Sequence, residues 1–386
     1  MNIEALIQAQ QEALMASIEG YGQPKLSAAV RNAFFAVPRH LFVQRYREYV
    51  RPDWRVVDES SLWRHLPAIY RHDGLGIYGP DDNGVVATIS APGFVLWMLE
   101  ELQVQPGMRV LEIGAGSGWN AGLLGCLVGG NGAVDSVEIV GALAAAATQA
   151  IARAGIENVR ILHGDAGGAL QGDRPYDRAI FTTGSYDLPA FLYDRVREGG
   201  LLEFVLKCPG GGDVVMVFRK EGDTFVAQGG RPCEFVPLTG QGRMRELDAI
   251  PLGDFEPWAE LSGKVERTQP FFMGERGDER FLARTFGLRS YLAVVEPRMR
   301  GFVDGFGMWD EPSRSLALVR PGRLTVHGGP AAGEALDGHL QSWMARGMPS
   351  MATMSVTAYR AGSAPAPRAS QWLLRRPATH FVWEAT

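Results

Sequence analysis

The chain has 386 residues, of which 46% are hydrophobic and 21% are charged, which is ordinary globular usage and suggests at least two domains. Its 38 Lys and Arg residues against 43 Asp and Glu residues give a net charge of −5, which argues against a strongly basic surface that follows a phosphate backbone and so against nucleic acid as a partner. No apolar run of about 18 residues is present and the N-terminus is amphipathic and acidic, so we expect a cytoplasmic protein without membrane contact.

The cysteines give no sign of a metal site or of a disulfide framework. Cys126, Cys208 and Cys233 are odd in number and lack the spacing of metal ligands. This pattern fits a reducing cytoplasm, and we predict that the protein has no metal. The sequence leaves the oligomeric state open.

The first elements precede an irregular connection. Apolar residues at helical spacing predict a helix over 26–37, which Pro38 ends. Residues 52–87 are rich in Pro, Gly and acidic residues and predict a long irregular segment of the kind that is often functional. A further helix is expected over 92–102.

From residue 108 the expected strands and helices alternate, which is typical of βαβ units and a largely parallel sheet. The predicted strands are 108–113, 133–139, 159–163 and 176–182, and the predicted helices are 119–128, 142–154 and 188–196. Two further strands, 201–206 and 214–219, flank a Gly-rich turn and predict a hairpin at the sheet edge.

The pattern changes near residue 240. Residues 243–300 are charged and predict irregular structure. Short strands over 315–319 and 323–327, a helix over 331–346 and later strands near 352–359, 371–374 and 379–383 then predict an α+β module. We therefore expect an α/β domain over 1–240 and a C-terminal α+β module over 241–386.

The clearest local motif is the glycine loop of residues 110–118, where an apolar strand runs into glycines at every second position and then into a helix. Glycines allow a tight turn and close approach to a ligand, and the helix N-terminus offers free N–H groups. Glu138 closes the next strand, where a carboxylate binds ribose hydroxyls. Gly116, Gly118 and Ala121 also satisfy the dinucleotide fingerprint, so the glycines alone leave two ligands open.

Residues downstream of the glycine loop decide between a dinucleotide and the other possible ligand. Glu112 and the glycines that follow it resemble the first motif of class I S-adenosylmethionine methyltransferases. The stretch from His163 to Ala166, which follows the third strand, resembles through Gly164 and Asp165 the Gly-Asp pair that meets adenine in those enzymes. Residues 176–180 resemble their fourth strand. The resemblance implies a Rossmann-like domain whose cofactor is S-adenosylmethionine.

A second motif lies upstream, in residues 87–92. Its Thr88 and Ser90 hydroxyls precede a Pro-started helix and, taken alone, suggest helix capping. Together with residues 33–43 and 235–238 and the glycine loop, however, the motif resembles the protein-L-isoaspartate O-methyltransferase family over roughly 25–240.

The resemblance implies a role for each matched residue. Ser90 is expected beside the methyl acceptor, with Thr88 in support. The expected cofactor-binding residues are Glu112, Gly114, Gly116, Gly118, Glu138, Asp165 and Ala166. The activity implied is esterification of an aspartate or isoaspartate carboxylate in a peptide or protein, after which the ester closes to aspartimide.

Two segments that differ from the family's pattern, and the C-terminal extension of the chain, bear on the identity of the substrate. Residues 73–80 and 204–209 lack the family's usual forms at positions where substrate is expected. The C-terminal residues, including Trp343, Trp372 and Trp383, resemble the extension of methyltransferases that are encoded with lanthipeptide and lasso-peptide pathways. This implies an alternative, in which the enzyme is dedicated to one modified peptide rather than to general protein repair.

The chemistry of the motif favours a carboxylate acceptor. A carboxylate is already anionic at pH 7 and needs no general base, whereas an alcohol or amine acceptor needs one. Residues 88–92 contain no such base, and His40, His65 and His72 are the candidates elsewhere. An RNA methyltransferase and a partner-binding protein with a vestigial cofactor site remain as alternatives.

Overall fold

A computed structural model describes residues 2–20, 25–48, 51–79, 86–170, 174–271 and 279–385. Its α-helices are α1 (Ile3–Gly20), α2 (Ala28–Ala36), α3 (Leu62–Ile69), α4 (Pro92–Glu101), α5 (Trp119–Val128), α6 (Gly141–Arg153), α7 (Ala166–Ala169), α8 (Leu192–Arg195), α9 (Trp258–Leu261), α10 (Glu279–Val295) and α11 (Ala331–Ala345).

The strands up to residue 206 are β1 (Arg45–Glu48), β2 (Arg51–Val56), β3 (Leu75–Tyr78), β4 (Ala87–Ile89), β5 (Arg109–Ile113), β6 (Ala133–Glu138), β7 (Val159–His163), β8 (Tyr176–Ser185) and β9 (Val196–Leu206). The later strands are β10 (Asp213–Glu221), β11 (Thr224–Gln228), β12 (Arg231–Cys233), β13 (Val265–Pro270), β14 (Met299–Phe302), β15 (Gly305–Asp310), β16 (Ser315–Arg320), β17 (Arg323–His327), β18 (Met354–Arg360), β19 (Gln371–Arg375) and β20 (Thr379–Ala385).

The chain forms two compact units. Unit 1 consists of Met1–Thr183, Asp194–Glu203 and Thr239–Gln241, and unit 2 consists of Gly184–Tyr193, Phe204–Leu238 and Gly242–Thr386. Residues on both sides of position 240 therefore belong to unit 2. The division into domains 1–240 and 241–386 stays a prediction.

Unit 1 contains the predicted parallel sheet. Strand β5 runs parallel to β6 and β8, and β6 runs parallel to β7, which gives the order β8-β5-β6-β7. Val110, Leu111 and Val134 are at most 1% exposed, as expected for strands covered on both faces. The strand order reverses between β5 and β8, and open α/β sheets bind ligands at the C-terminal strand ends of such a point.

A small antiparallel sheet of unit 1 corrects the expected irregular segment over 52–87. Its strand order is β2-β1-β3-β4, and helix α3 lies within the same stretch. The side chains of Tyr46, Leu66, Ile69 and Leu75 are buried at spacings that fit these short elements. The Pro and Gly residues concealed this pattern, and the acidic turn at 81–84 lies outside the described residues.

The hairpin expected over 201–206 and 214–219 corresponds to strands β9 and β10, which do not lie at an edge of their sheet. In unit 2, β10 pairs antiparallel with β11, β11 with β18, β18 with β20, and β20 with β19. The expectation was wrong because β11 continues the sheet directly after β10, and because β18, β20 and β19 are added from much later in the chain. The helix expected over 188–196 is also shorter, since α8 covers only Leu192–Arg195.

The second sheet of unit 2 has the order β13-β17-β16-β15-β14. Its core contains Phe302, Trp309 and Leu316, packed with Phe255 and Trp258. Residues 243–300, expected to be irregular, contribute α9, β13, α10 and β14. Their apolar residues are spaced among many charges, which concealed the periodicity.

Candidate active site

The glycine loop connects β5 to α5 in unit 1. Gly114, Gly116 and Gly118 have φ values of +101°, +52° and +84°, which side chains rarely adopt. A Cβ atom on Gly114 would lie 2.7 Å from Oγ1 of Thr182, and one on Gly118 would lie 3.1 Å from Cβ of Ala147. Backbone conformation and close packing therefore both require glycine in this loop.

Glu138 lies at the C-terminal end of β6, beside the loop. One carboxylate oxygen accepts a hydrogen bond from the Gly116 amide at 2.8 Å, and the other accepts one from the Val140 amide at 2.9 Å. Each oxygen keeps a second lone pair, since a carboxylate offers about four acceptor positions. Glu138 is thus oriented for a ligand that carries two hydroxyl donors.

Glu112 occupies a different position from the other acidic residues of the motif. It is fully buried, and its carboxylate accepts hydrogen bonds from Nδ2 of Asn120 at 2.7 Å and from the Ser136 hydroxyl. Burial raises the pKa of this carboxyl to about 7. Both oxygens therefore bond to the chain itself and join β5 to α5 and β6.

Asp165 precedes Ala166, the first residue of α7, and contacts a segment much later in the chain. Its Oδ2 accepts a hydrogen bond from the Gln241 amide at 2.8 Å. A Cβ atom on Gly240 would lie 2.1 Å from the same oxygen, so only glycine fits there. Residues 239–241 thus close one side of Asp165.

The Thr88–Ser90 stretch adjoins the glycine loop. The Thr88 carbonyl oxygen is 3.7 Å from the position of a Cβ atom on Gly116. Helix α4 has Ala91 as its N-cap residue and no side-chain capping bond, so Ser90 does not cap this helix. Within the described part of the chain, the Thr88 and Ser90 hydroxyls form no hydrogen bond, and both residues are partly exposed.

A buried arginine, Arg39, donates hydrogen bonds to the backbone next to this stretch. Nη2 of Arg39 donates to the carbonyl oxygens of Asp73 at 3.2 Å and Ile89 at 3.3 Å, and its guanidinium lies 5.2 Å from the ring centroid of Trp119. Arg39 is 0% exposed, and this burial lowers its pKa to about 9. It links the residue before Ser90 to the first residue of α5.

The three histidines considered as a general base, His40, His65 and His72, are weak bases in the structure. Nδ1 of His40 is 2.8 Å from the Tyr70 hydroxyl, and burial lowers the pKa of His40 to about 4. Nδ1 of His65 is 3.2 Å from the Tyr46 hydroxyl. Burial also lowers the pKa values of His65 and His72.

The described residues contain neither a metal-like cluster nor a membrane-spanning helix. In the described ranges, no three His, Cys, Asp or Glu side chains are grouped so that they could hold a metal ion. No described helix is both long and apolar enough to cross a bilayer.

Comparison with known proteins identifies the family. The family model described as Protein-L-isoaspartate(D-aspartate) O-methyltransferase (PCMT) matches residues 9–243. The chain belongs to this family. A protein-L-isoaspartate O-methyltransferase of Pyrococcus horikoshii is 34% identical over 226 residues, which cover 57% of this chain and 89% of that protein. One of Methanoculleus marisnigri is 34% identical over 222 residues, which cover 58% of this chain and 86% of that protein.

A solved structure shares the fold over more of the chain. A protein-L-isoaspartate O-methyltransferase structure covers 90% of this chain and 96% of its own, with a TM-score of 0.54 and 21% sequence identity. The expected class I methyltransferase fold is thus confirmed, and the likeness extends past residue 243.

Membership in the protein-L-isoaspartate O-methyltransferase family makes the chain a protein carboxyl methyltransferase with S-adenosylmethionine as its cofactor and a protein or peptide as its substrate. The residues fit the cofactor, because the loop is open at Gly116 and Glu138 retains acceptor capacity. The individual site residues stay predictions.

Several neighbours of the site were missed from the sequence. Arg39 lies within the matched segment 33–43 and Gln241 lies just beyond the matched segment 235–238, and the sequence alone indicates a role for neither. The single Thr182 hydroxyl proton is shared between the carbonyl oxygens of Ile113, at 3.1 Å, and Gly114. A hydroxyl at the end of the fourth strand is a usable sequence signal, whereas the position of Gln241 depends on tertiary packing.

Proposed function

We propose that this methyltransferase esterifies the carboxylate of an aspartate or isoaspartate residue in a peptide or protein. One observation carries this proposal: the Thr88–Ser90 stretch, with hydroxyls that bond to no described residue, adjoins the glycine loop. The names of the curated relatives support isoaspartyl protein as the substrate class.

The acceptor chemistry requires orientation rather than proton removal. S-adenosylmethionine, when bound, supplies an electrophilic methyl group. The substrate carboxylate is anionic at pH 7, so the Ser90 hydroxyl donates a hydrogen bond to one oxygen and leaves the other free to react. Thr88 supports this orientation. Alignment of this kind lowers the activation free energy by roughly several kcal/mol.

The cofactor-binding roles follow the geometry of unit 1. Gly114, Gly116 and Gly118 give the backbone close access to the ligand, and Glu138 binds the ribose hydroxyls. Asp165 and Ala166 border the adenine. Glu112 contributes indirectly, because its carboxylate accepts hydrogen bonds from Asn120 and Ser136 and so joins β5 to α5 and β6 next to the loop.

The methyl ester then reacts within the substrate itself. The backbone nitrogen of the following residue attacks the ester carbonyl, methanol leaves, and the aspartimide ring closes. The enzyme needs no further group for this step. The product class is the same for a damaged protein and for a dedicated modified peptide.

Mass spectrometry tests the proposal with three short peptides that differ at one position: isoaspartate, aspartate and asparagine. With enzyme and S-adenosylmethionine, we expect the isoaspartyl peptide to gain a methyl group or to lose water as aspartimide, and the asparaginyl peptide to stay unchanged. Methylation of none of them, with cofactor binding seen by calorimetry, would refute general esterification and favour a dedicated peptide. Absence of cofactor binding would favour a vestigial site.

A further inference from the structure

The small antiparallel sheet of unit 1 places Thr88 and Arg47 on one face. Thr88 on β4 lies opposite Gly76 on β3, and Gly76 lies opposite Arg47 on β1. Directly opposite residues of antiparallel strands project their side chains to the same face. Arg47 is therefore on the face of Thr88, and the glycine between them has no side chain.

Two arginines on this face share one aromatic ring. The guanidinium carbon of Arg45 lies 3.9 Å from the ring centroid of Trp54, and that of Arg47 lies 5.1 Å from it. Cation–π contact favours each guanidinium, but it does not neutralise the positive charge of Arg47. We call Arg45, Arg47 and Trp54 the basic face.

The nearest acidic residue of β1 is on the opposite face. Glu48 is 6% exposed and forms ion pairs with Arg55 at 3.0 Å and with Arg71 at 3.4 Å. Arg47 forms no ion pair with any described residue, and it is partly exposed. Its charge is thus available to a ligand, although the chain as a whole is acidic.

We propose that the basic face binds an acidic residue of the peptide substrate and that Arg47 is the residue that recognises it. This rests on the proposed function, in which Ser90 lies beside the acceptor, because the distance is measured from Thr88, the supporting residue two positions before Ser90. The arginine fork suits a carboxylate, which it can bind through two parallel N–H bonds. The occupant is therefore an acidic stretch of the substrate next to the acceptor.

The sheet spacing gives the position of that acidic residue. Two inter-strand steps of about 4.8 Å place the Arg47 backbone about 10 Å from Thr88, and an extended peptide advances about 3.3 Å per residue. The recognised carboxylate is therefore about three residues from the methyl acceptor. Since Arg47 is partly exposed, water screens the pair, and we expect a preference of about two- to fivefold.

The test is a positional scan with the full-length enzyme. A neutral isoaspartyl peptide receives a single Glu at each position from four before to four after the acceptor, and kcat/KM is measured for wild type, Arg47→Gln and Arg47→Glu. Arg64→Gln is the control, because Arg64 is an exposed arginine of unit 1 that also lies beside an indole, with its guanidinium carbon 5.0 Å from the ring centroid of Trp63.

We expect wild type and Arg64→Gln to favour peptides with Glu about three residues from the acceptor. Arg47→Gln abolishes this preference and Arg47→Glu reverses it, while the neutral peptide is methylated at the wild-type rate. A flat scan with wild type overturns the proposal, and so does equal loss on acidic and neutral peptides in Arg47→Gln, which would indicate a folding role. If no peptide is methylated by wild type, the proposed function fails instead.

Discussion

The Glu138 carboxylate accepts a hydrogen bond from the Gly116 amide at 2.8 Å. The residue predicted to bind the ribose is therefore also bonded to the glycine loop. Its second oxygen bonds to the Val140 amide, so the carboxylate is oriented on both sides. An oriented acceptor loses little side-chain entropy when a ligand binds.

We expect Glu138→Ala to weaken S-adenosylmethionine binding by about 2–3 kcal/mol, because charge-assisted hydrogen bonds to the ribose are lost. Isothermal calorimetry measures this directly. Glu157→Ala is the control, since Glu157 is an exposed carboxylate of the same unit. Equal affinity of the Glu138 variant and wild type would remove Glu138 from the site.

Ser90→Ala is expected to slow methyl transfer by about tenfold, the cost of one hydrogen bond of about 1.4 kcal/mol, with cofactor affinity and melting temperature unchanged. Stability stays constant because Ser90 caps no helix. The control is Ser27→Ala, which loses a real cap, since Ser27 accepts a hydrogen bond from the Val30 amide.

The Ser27 variant is expected to lose about 1 kcal/mol of stability at normal turnover. Stopped-flow or initial-rate assays and thermal melts separate the two behaviours. A Ser90 variant that melts earlier and turns over normally would return this serine to a structural role.

The burial of Glu203 predicts that the free energy of unfolding depends on pH. Glu203 is 0% exposed, neither carboxylate oxygen has a hydrogen-bond partner among the described residues, and burial raises its pKa well above the usual value. The folded state therefore binds a proton that the unfolded state releases. The bound proton stabilises the folded state at pH values below about 4.3, the usual pKa of a glutamate in an unfolded chain. This contribution is lost as the pH rises toward the pKa of Glu203 in the folded protein.

We accordingly expect Glu203→Met, which conserves volume, to be more stable than wild type at pH 7. The difference grows with pH by at most about 1.4 kcal/mol per unit within that window. Urea unfolding at several pH values measures it. A difference that does not vary with pH would mean that Glu203 has the same proton affinity in both states.

The sequence predicted those elements whose signals are local. Continuous apolar strands and regularly spaced glycines indicated the parallel sheet and the loop at Gly114, Gly116 and Gly118. The position of Arg39 was not predictable, because its bonds to the Asp73 and Ile89 carbonyls join segments that are distant in sequence. The strands within 52–87 were missed for a related reason, since they are short and are stabilised by pairing.

The last prediction concerns Thr379 and the proposed boundary near residue 240. Thr379 is 0% exposed, its hydroxyl donates to the Leu188 carbonyl at 2.8 Å, and it lies 3.2 Å from the Tyr193 hydroxyl. The adjacent Ala378 amide donates to Oδ2 of Asp187 at 2.7 Å. Within unit 2, the C-terminal turn is thus bonded to residues 184–193.

Thr379→Val keeps the side-chain shape but leaves the Leu188 carbonyl without its donor, so we expect a loss of about 1–3 kcal/mol of stability. Cofactor affinity should not change. Hydrogen exchange of the full-length protein should show faster exchange in residues 184–193 of the variant. Ser363→Ala, an exposed hydroxyl with one bond to the Arg360 carbonyl, is the control and should change neither quantity. Unaltered protection of residues 184–193 would instead favour a domain that ends near residue 240 and folds without the C-terminal turn.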